Sequence, residues 1–258
     1  PPTNPASYNI VVPVSGTVNV GSGEAFTSLS NAGGLFESLN GGVLGGNLIV
    51  NITSDLTAES GAVALNQLAE EGTGAGSFTL TLRSSAAVER VISGAATGGL
   101  LRLNGADRVS IDGRVGGSGR FLRVRNTASG PAISFVNDAT ANTLQSVVIE
   151  SANTGTASGT VLFGTGVSSG NSGNQILGAE LRDRSDAAGV PANAIYSAGT
   201  AGAPNAGNTI SGNLIYNYTN AGVLVAAAGA GNGWSVSDND FYQTAARSTA
   251  AAGISIQG

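Results

Sequence analysis

The 258-residue chain has no cysteine, no methionine and no histidine, and all 11 of its basic residues are arginine, so lysine is absent as well. Without cysteine there is neither a disulfide framework nor a thiolate metal site. Charged residues make up only 10% of the chain and the net charge is −5, which argues against a nucleic-acid partner, since that would require clustered basic residues. The arginines are dispersed apart from Arg120, Arg123 and Arg125 and the pair Arg182 and Arg184. No apolar run approaches the ~18 residues needed to cross a bilayer, so no membrane span is expected. The missing initiator methionine is what a mature chain shows after loss of a signal peptide, and the expected location is secreted or on the cell surface.

Glycine, by contrast, is abundant at 40 residues, and it gathers in runs such as 72–76, 116–119 and 229–233. Between these runs lie short segments with two apolar residues flanking one position. Six of them recur along the chain: Leu-Arg-Leu ending at 103, Ile-Ser-Phe at 135, Val-Leu-Phe at 163, Ala-Ile-Tyr at 196, Val-Leu-Val at 225 and Ile-Ser-Ile at 256. Successive last positions differ by 32, 28, 33, 29 and 31 residues. Residues i and i+2 share one face of a strand, so each triplet reads as a strand. A near-fixed period of this size means a solenoid, whose repeats bury their apolar faces only against neighbours. Short strands at roughly 25–35 residues per repeat, with no helix-length periodic segment in the later ones, predict an all-β right-handed parallel β-helix of about seven turns.

Three regions follow. Residues 1–20 form a strand-like extension in which Pro13 permits only an edge position. In residues 21–46, Phe26, Leu29, Ala32, Leu35, Phe36 and Leu39 recur at helical spacing before Asn40-Gly41-Gly42, which predicts a helix capping the open end of the solenoid. Residues 47–258 form the β-helix. Within it, the run 208–217 (Asn-Thr-Ile-Ser-Gly-Asn-Leu-Ile-Tyr-Asn) with 221–225 (Ala-Gly-Val-Leu-Val) resembles the parallel β-helix repeat of the pectate-lyase-like superfamily, and Asn239-Asp240-Phe241-Tyr242 echoes it one turn later. The run 103–113, with Phe135-Val136-Asn137-Asp138, is similar to secreted β-helix proteins on the surfaces of gram-negative bacteria. The resemblance implies the fold; that fold hosts lyases, hydrolases, esterases, adhesins and inert scaffolds.

Hydrolases of that superfamily resemble one another in Asp residues joined by Gly-His-Gly and Arg-x-Lys motifs, which a chain lacking histidine and lysine does not supply. Lyases of the pectate type pair acidic Ca²⁺ ligands with a basic residue, so the acidic groups Asp183 with Asp186 and Asp238 with Asp240 are candidates, as ligands or as acid–base partners. Each also reads as a turn: ion-paired for 182–186, Asx-bonded for 238–240. Trp234, Tyr216, Tyr218 and Tyr242 form a candidate sugar-stacking strip or core filler. Asn174, Asn208, Asn213 and Asn239 are expected to stack between turns as a structural ladder. Asn51 and Asn217 match the N-glycosylation pattern.

These readings favour a non-enzymatic structural protein that needs no cofactor. The 7–20 segment (Tyr8, Ile10, Val12, Val14) is uncharged and β-prone, and the chain closes on the strand bearing Ile254 and Ile256. An unpaired strand edge invites another chain. The expectation is therefore end-to-end self-association, with residues 7–20 pairing either along their own first turn or, as favoured, onto the last turn of a neighbour. The alternative is a carbohydrate-binding adhesin or Ca²⁺-dependent polysaccharide lyase.

Overall fold

The computed structural model describes residues 12–72, 77–226 and 231–257. Alternating strands with inward apolar residues stack on one another in parallel and build three sheets. The first runs Val14–Val20, Val43–Ile52, Leu80–Ser84, Val109–Asp112, Thr143–Gln145, Gln175–Leu177, Thr209–Ser211 and Ser235–Ser237, with Ala69–Glu70 paired beside Val43–Ile52. The second runs Leu56–Glu59, Arg90–Gly94, Leu122–Asn126, Val148–Glu150, Glu180–Arg182, Leu214–Tyr216 and Asp240–Tyr242. The third runs Leu65–Asn66, Leu101–Asn104, Ile133–Val136, Val161–Phe163, Asn193–Ser197, Ala221–Val225 and Ala252–Ile256. Each turn contributes one strand to every sheet, giving the all-β parallel solenoid of about seven turns that the repeat predicts.

The core is a set of columns. Leu101, Ile133, Val161, Ile195 and Val223 align along the third sheet and are fully buried. Ile92, Val124, Ile149, Leu181 and Ile215 do the same along the second. Phe135 lies directly over Phe163, their rings stacked with centroids 4.8 Å apart. One register differs from the triplet reading: Val161 pairs with Ile195 and Phe163 with Ser197, so Ala194-Ile195-Tyr196 is displaced by one residue. Ser197 thus points inward, where its hydroxyl accepts a hydrogen bond from Asn205 Nδ2 at 3.0 Å. Tyr196 takes the half-exposed outer position. A small inward side chain here leaves room for Trp234, which meets Phe163 edge-on at 5.2 Å.

Corners between the first and second sheets are turned by a single residue in the left-handed region: Ser146, Gly178, Gly212 and Asp238, with φ between 51° and 67°. Asp238 is thereby a corner residue.

The end before the first turn is closed differently from the expectation. The helix is confined to Leu35–Asn40, with Leu35, Phe36 and Leu39 buried. Residues 26–34 are instead a loop wrapped around the buried carboxylate of Glu59. That carboxylate accepts hydrogen bonds from Leu29 N (2.9 Å), Ser30 N (2.7 Å) and the hydroxyls of Ser28 (3.0 Å) and Ser30 (2.5 Å). N–H groups spent on Glu59 are not free for a helical ladder, and Gly33 (φ 75°) turns the chain into the short helix. Val14–Val20 is also corrected. It pairs in parallel with Val43–Ile52 of its own chain, so Val14 belongs to the rod and the favoured placement on a neighbour does not hold for this stretch. Val12 is 77% exposed, and Tyr8 and Ile10 lie outside the described residues.

Candidate functional site

Chemistry-bearing side chains concentrate on the outer face of the second sheet. Because alternate residues of a strand point outward, parallel register brings Arg125, Glu150 and Arg182 into one row across turns three, four and five. Arg123 heads the adjacent row with Val148 and Glu180. Glu150 has no exposed side-chain surface, and three guanidinium groups satisfy its carboxylate oxygens: Arg125 Nε at 2.6 Å, Arg182 Nη2 at 2.8 Å and Arg123 Nη1 at 3.2 Å. The network extends through Arg123–Glu89 (2.8 Å) and Arg182–Glu180 (3.1 Å). Fully desolvated charge is tolerated only with such partners.

Residues 183–186 lie over this row. Arg184 holds Asp186 in a two-pronged pair at 2.9 and 3.0 Å, and that bond keeps the Asp186 carboxyl below its ordinary range against the opposing pull of burial. Arg125 reaches the same carboxylate at 3.3 Å. Asp183 accepts a hydrogen bond from Asn217 Nδ2 at 2.9 Å. Farther along the face, Tyr216 and Tyr242 stack with centroids 4.6 Å apart, and the Tyr216 hydroxyl donates to Glu180 at 2.6 Å. Burial, reinforced by that carboxylate, raises the Tyr216 pKa; burial and the Glu180 charge raise that of Tyr242.

The predicted site residues therefore separate. Asp183 and Asp186 are engaged in the network, Asp238 turns a corner, and Asp240 is exposed opposite Leu214. Arg184 pairs with Asp186, but the four carboxylates do not converge around one arginine. Among the described residues no group of three or more acidic side chains is placed to hold a metal ion. The aromatic strip divides: Tyr218 is buried in the core, Trp234 packs on Phe163 and donates from Nε1 to Asn205 O at 2.7 Å, and only Tyr216 and Tyr242 share the outer face. Asn217 spends its amide on Asp183 and on Thr244, and Asn51 bridges Asn19 and Arg83. The asparagine ladder forms as two stacks, Asn142–Asn174–Asn208 and Asn213–Asn239, and a third, Asn171–Asn205, adjoins them.

Glu150 is the centre of this network, and sequence reasoning missed it. It ends an apolar strand, Val148-Ile149-Glu150, and nothing local marks it. The signal that could have found it is the repeat itself, which places Glu150 25 residues after Arg125, with Arg182 in the same row one turn further on.

Compared with known proteins, the chain matches no protein-family model, no curated protein and no solved structure. No helix among the described residues is long and apolar enough to cross a membrane.

Proposed function

We propose that this chain is a structural β-helix protein of the cell surface or extracellular space, without enzymatic activity, whose last turn is a surface for end-to-end association. One observation carries the reading. Ile254 and Ile256 align with the fully buried Val223 and Val225 and point into the solenoid, yet they are 45% and 59% exposed. Among the described residues the outer edges of the last strands are unpaired, and apolar side chains beside such edges favour a covering layer. Either further turns of the same polypeptide supply it or a second chain does. A non-catalytic reading is supported by the engagement of most of the candidate carboxylates: Glu150 and Asp186 by arginines, Asp183 by Asn217, and Asp238 in a corner. The extracellular location rests on the resemblance to secreted β-helix proteins.

Light scattering and electron microscopy of the purified 258-residue chain test the association. Oligomers or end-joined rods that dissociate on Ile256→Asp are expected; dispersed monomers at high concentration would refute it. Protease treatment of intact source cells tests the location, since an intracellular protein would survive.

A carbohydrate-binding role is the second reading, favoured by the Tyr216–Tyr242 stack, whose outer ring is 40% exposed. Such a ring offers the flat apolar face on which a sugar stacks. Glycan binding that Tyr242→Ala abolishes would establish it.

A further inference from the structure

We infer that residues 183–189 form a salt-sensitive strap, closed in this structure over the arginine cluster around Glu150. The chain leaves the second sheet after Arg182 in turn five and doubles back across turn four to touch turn three. Ser185 Oγ accepts hydrogen bonds from Arg123 Nη1 at 2.9 Å and Arg125 Nη2 at 2.8 Å. Arg184 Nη1 donates to the carbonyl of Thr127 at 3.0 Å, and Asp186 meets Arg125 at 3.3 Å. Every one of these attachments is polar. Ser185, Asp186, Ala187 and Ala188 are all exposed, so the strap buries no apolar anchor.

Its two ends suit a hinged segment. Asp183 is tied to Asn217 at one end. At the other, Gly189 has φ +124°, a conformation that disfavours a side chain, and a Cβ there would come within 2.9 Å of Ala152 Cβ. The layer below is held otherwise: its strands are hydrogen-bonded in register and their inward residues are fully buried.

Charges facing the strap are Arg123, Arg125 and Arg182 on the sheet, Glu89, Glu150 and Glu180 beside them, and Arg184, Asp183 and Asp186 on the strap itself. Between strap and sheet the ion pair is Asp186–Arg125, with hydrogen bonds through Ser185 and Thr127 beside it; such a partly exposed pair is weak, and salt screens it. Raising the ionic strength therefore loosens the strap well before it loosens the rod. Opening uncovers three guanidinium groups, each now only 15–18% exposed, around one carboxylate on the lateral face.

Trypsin reads the strap directly, because this chain has no lysine and offers only its 11 arginines. The bond after Arg184 lies in the strap, and the closed Arg184 side chain is 14% exposed. Its cleavage rate, taken relative to the bond after Arg247, is expected to rise about fivefold or more between low salt and about 1 M NaCl. Asp186→Asn and Ser185→Ala should each reproduce the rise at low salt with thermal melts near wild type. An Arg184 to Arg247 ratio unmoved by salt and by both substitutions would overturn the strap. So would a wild-type ratio at low salt already equal to that of the variants.

Discussion

Asp138 stands in the left-handed region (φ 68°) and turns its carboxylate onto the loop of the next turn. It accepts hydrogen bonds from the N–H groups of Val167, Ser168 and Gly170 and from the Ser168 hydroxyl, all at 2.8 Å, and from Ser169 N at 3.2 Å. Burial alone would raise its pKa; the Ser168 hydroxyl and the N–H groups outweigh it and bring the value to about 2, against 3.8 for an unperturbed Asp. The folded pKa lies below the unfolded one, so this stabilisation is fully present above about pH 4 and is lost as pH falls towards 2. Asp138→Asn removes it. The melting-temperature gap between wild type and variant, followed by circular dichroism, should be constant above about pH 5 and shrink between pH 4 and 2; a gap that persists at pH 2 would contradict the assignment. Glu150 is the opposite kind of carboxylate, neutralised by arginines rather than by N–H groups. Glu150→Gln withdraws the carboxylate that the arginines share, leaving Arg125 to Asp186 and Arg182 to Glu180, and should cost about 1.5–3 kcal/mol in urea unfolding. Phe135→Ala opens a cavity against Phe163 and should cost a similar amount, about 3–5 kcal/mol, as a core truncation; an unchanged melting temperature would mean the column is misassigned.

The asparagine stacks show how one turn is registered on the next. Asn174 Oδ1 accepts from both the backbone N–H (3.0 Å) and Nδ2 (2.9 Å) of Asn142, while its own Nδ2 donates to Ala139 O (2.9 Å) and Asn208 Oδ1 (3.3 Å). Asn208 receives from Asn174 in the same way, but its Nδ2 is buried and has no hydrogen-bond partner among the described residues. The stack stops there because the aligned position in the last turn is Trp234, which precedes Ser235 opposite Thr209. Asn174→Ala strands several buried groups and Asn208→Ala fewer, so the first should be the more destabilising by about 1 kcal/mol or more in denaturant titrations. Equal losses would show that the stack does not transmit register. The stacking of Asn174, Asn208, Asn213 and Asn239 was legible from sequence because turn positions recur with the repeat. Their division into two stacks was not, since it depends on which side of the first sheet each corner lies. The same holds for the helix: apolar spacing over residues 26–39 finds the buried Leu29, Leu35, Phe36 and Leu39, though Ala32 is exposed, and the partner that unwinds its first half, Glu59, lies one turn away. Tertiary hydrogen bonds to a distant carboxylate leave no local pattern.

Within the described residues the first and last turns are unlike. The first turn is sealed by a polar lid: the 28–30 loop on Glu59, Asn31 bonded to Ala58 O and Ser60 N, and the Asn40 side chain bonded to Ala64 O and Asn66 N. At the last turn the inward-facing Ile254 and Ile256 stand open. In a solenoid each turn touches only its neighbours, so stability is nearly a sum of turn and interface contributions, and damage stays local. Glu59→Gln therefore makes a sharp test. One carboxylate oxygen becomes an NH₂ facing groups that are themselves donors, which should cost about 2–3 kcal/mol. That loss belongs to the lid and first turn. Hydrogen exchange of the variant should quicken in residues 28–40 and 56–66, while the strands Val148–Glu150 and Val161–Phe163, three turns away, keep wild-type protection. Uniform acceleration over all seven turns would mean that the rod opens as one cooperative unit and that its lid is not separable from its core.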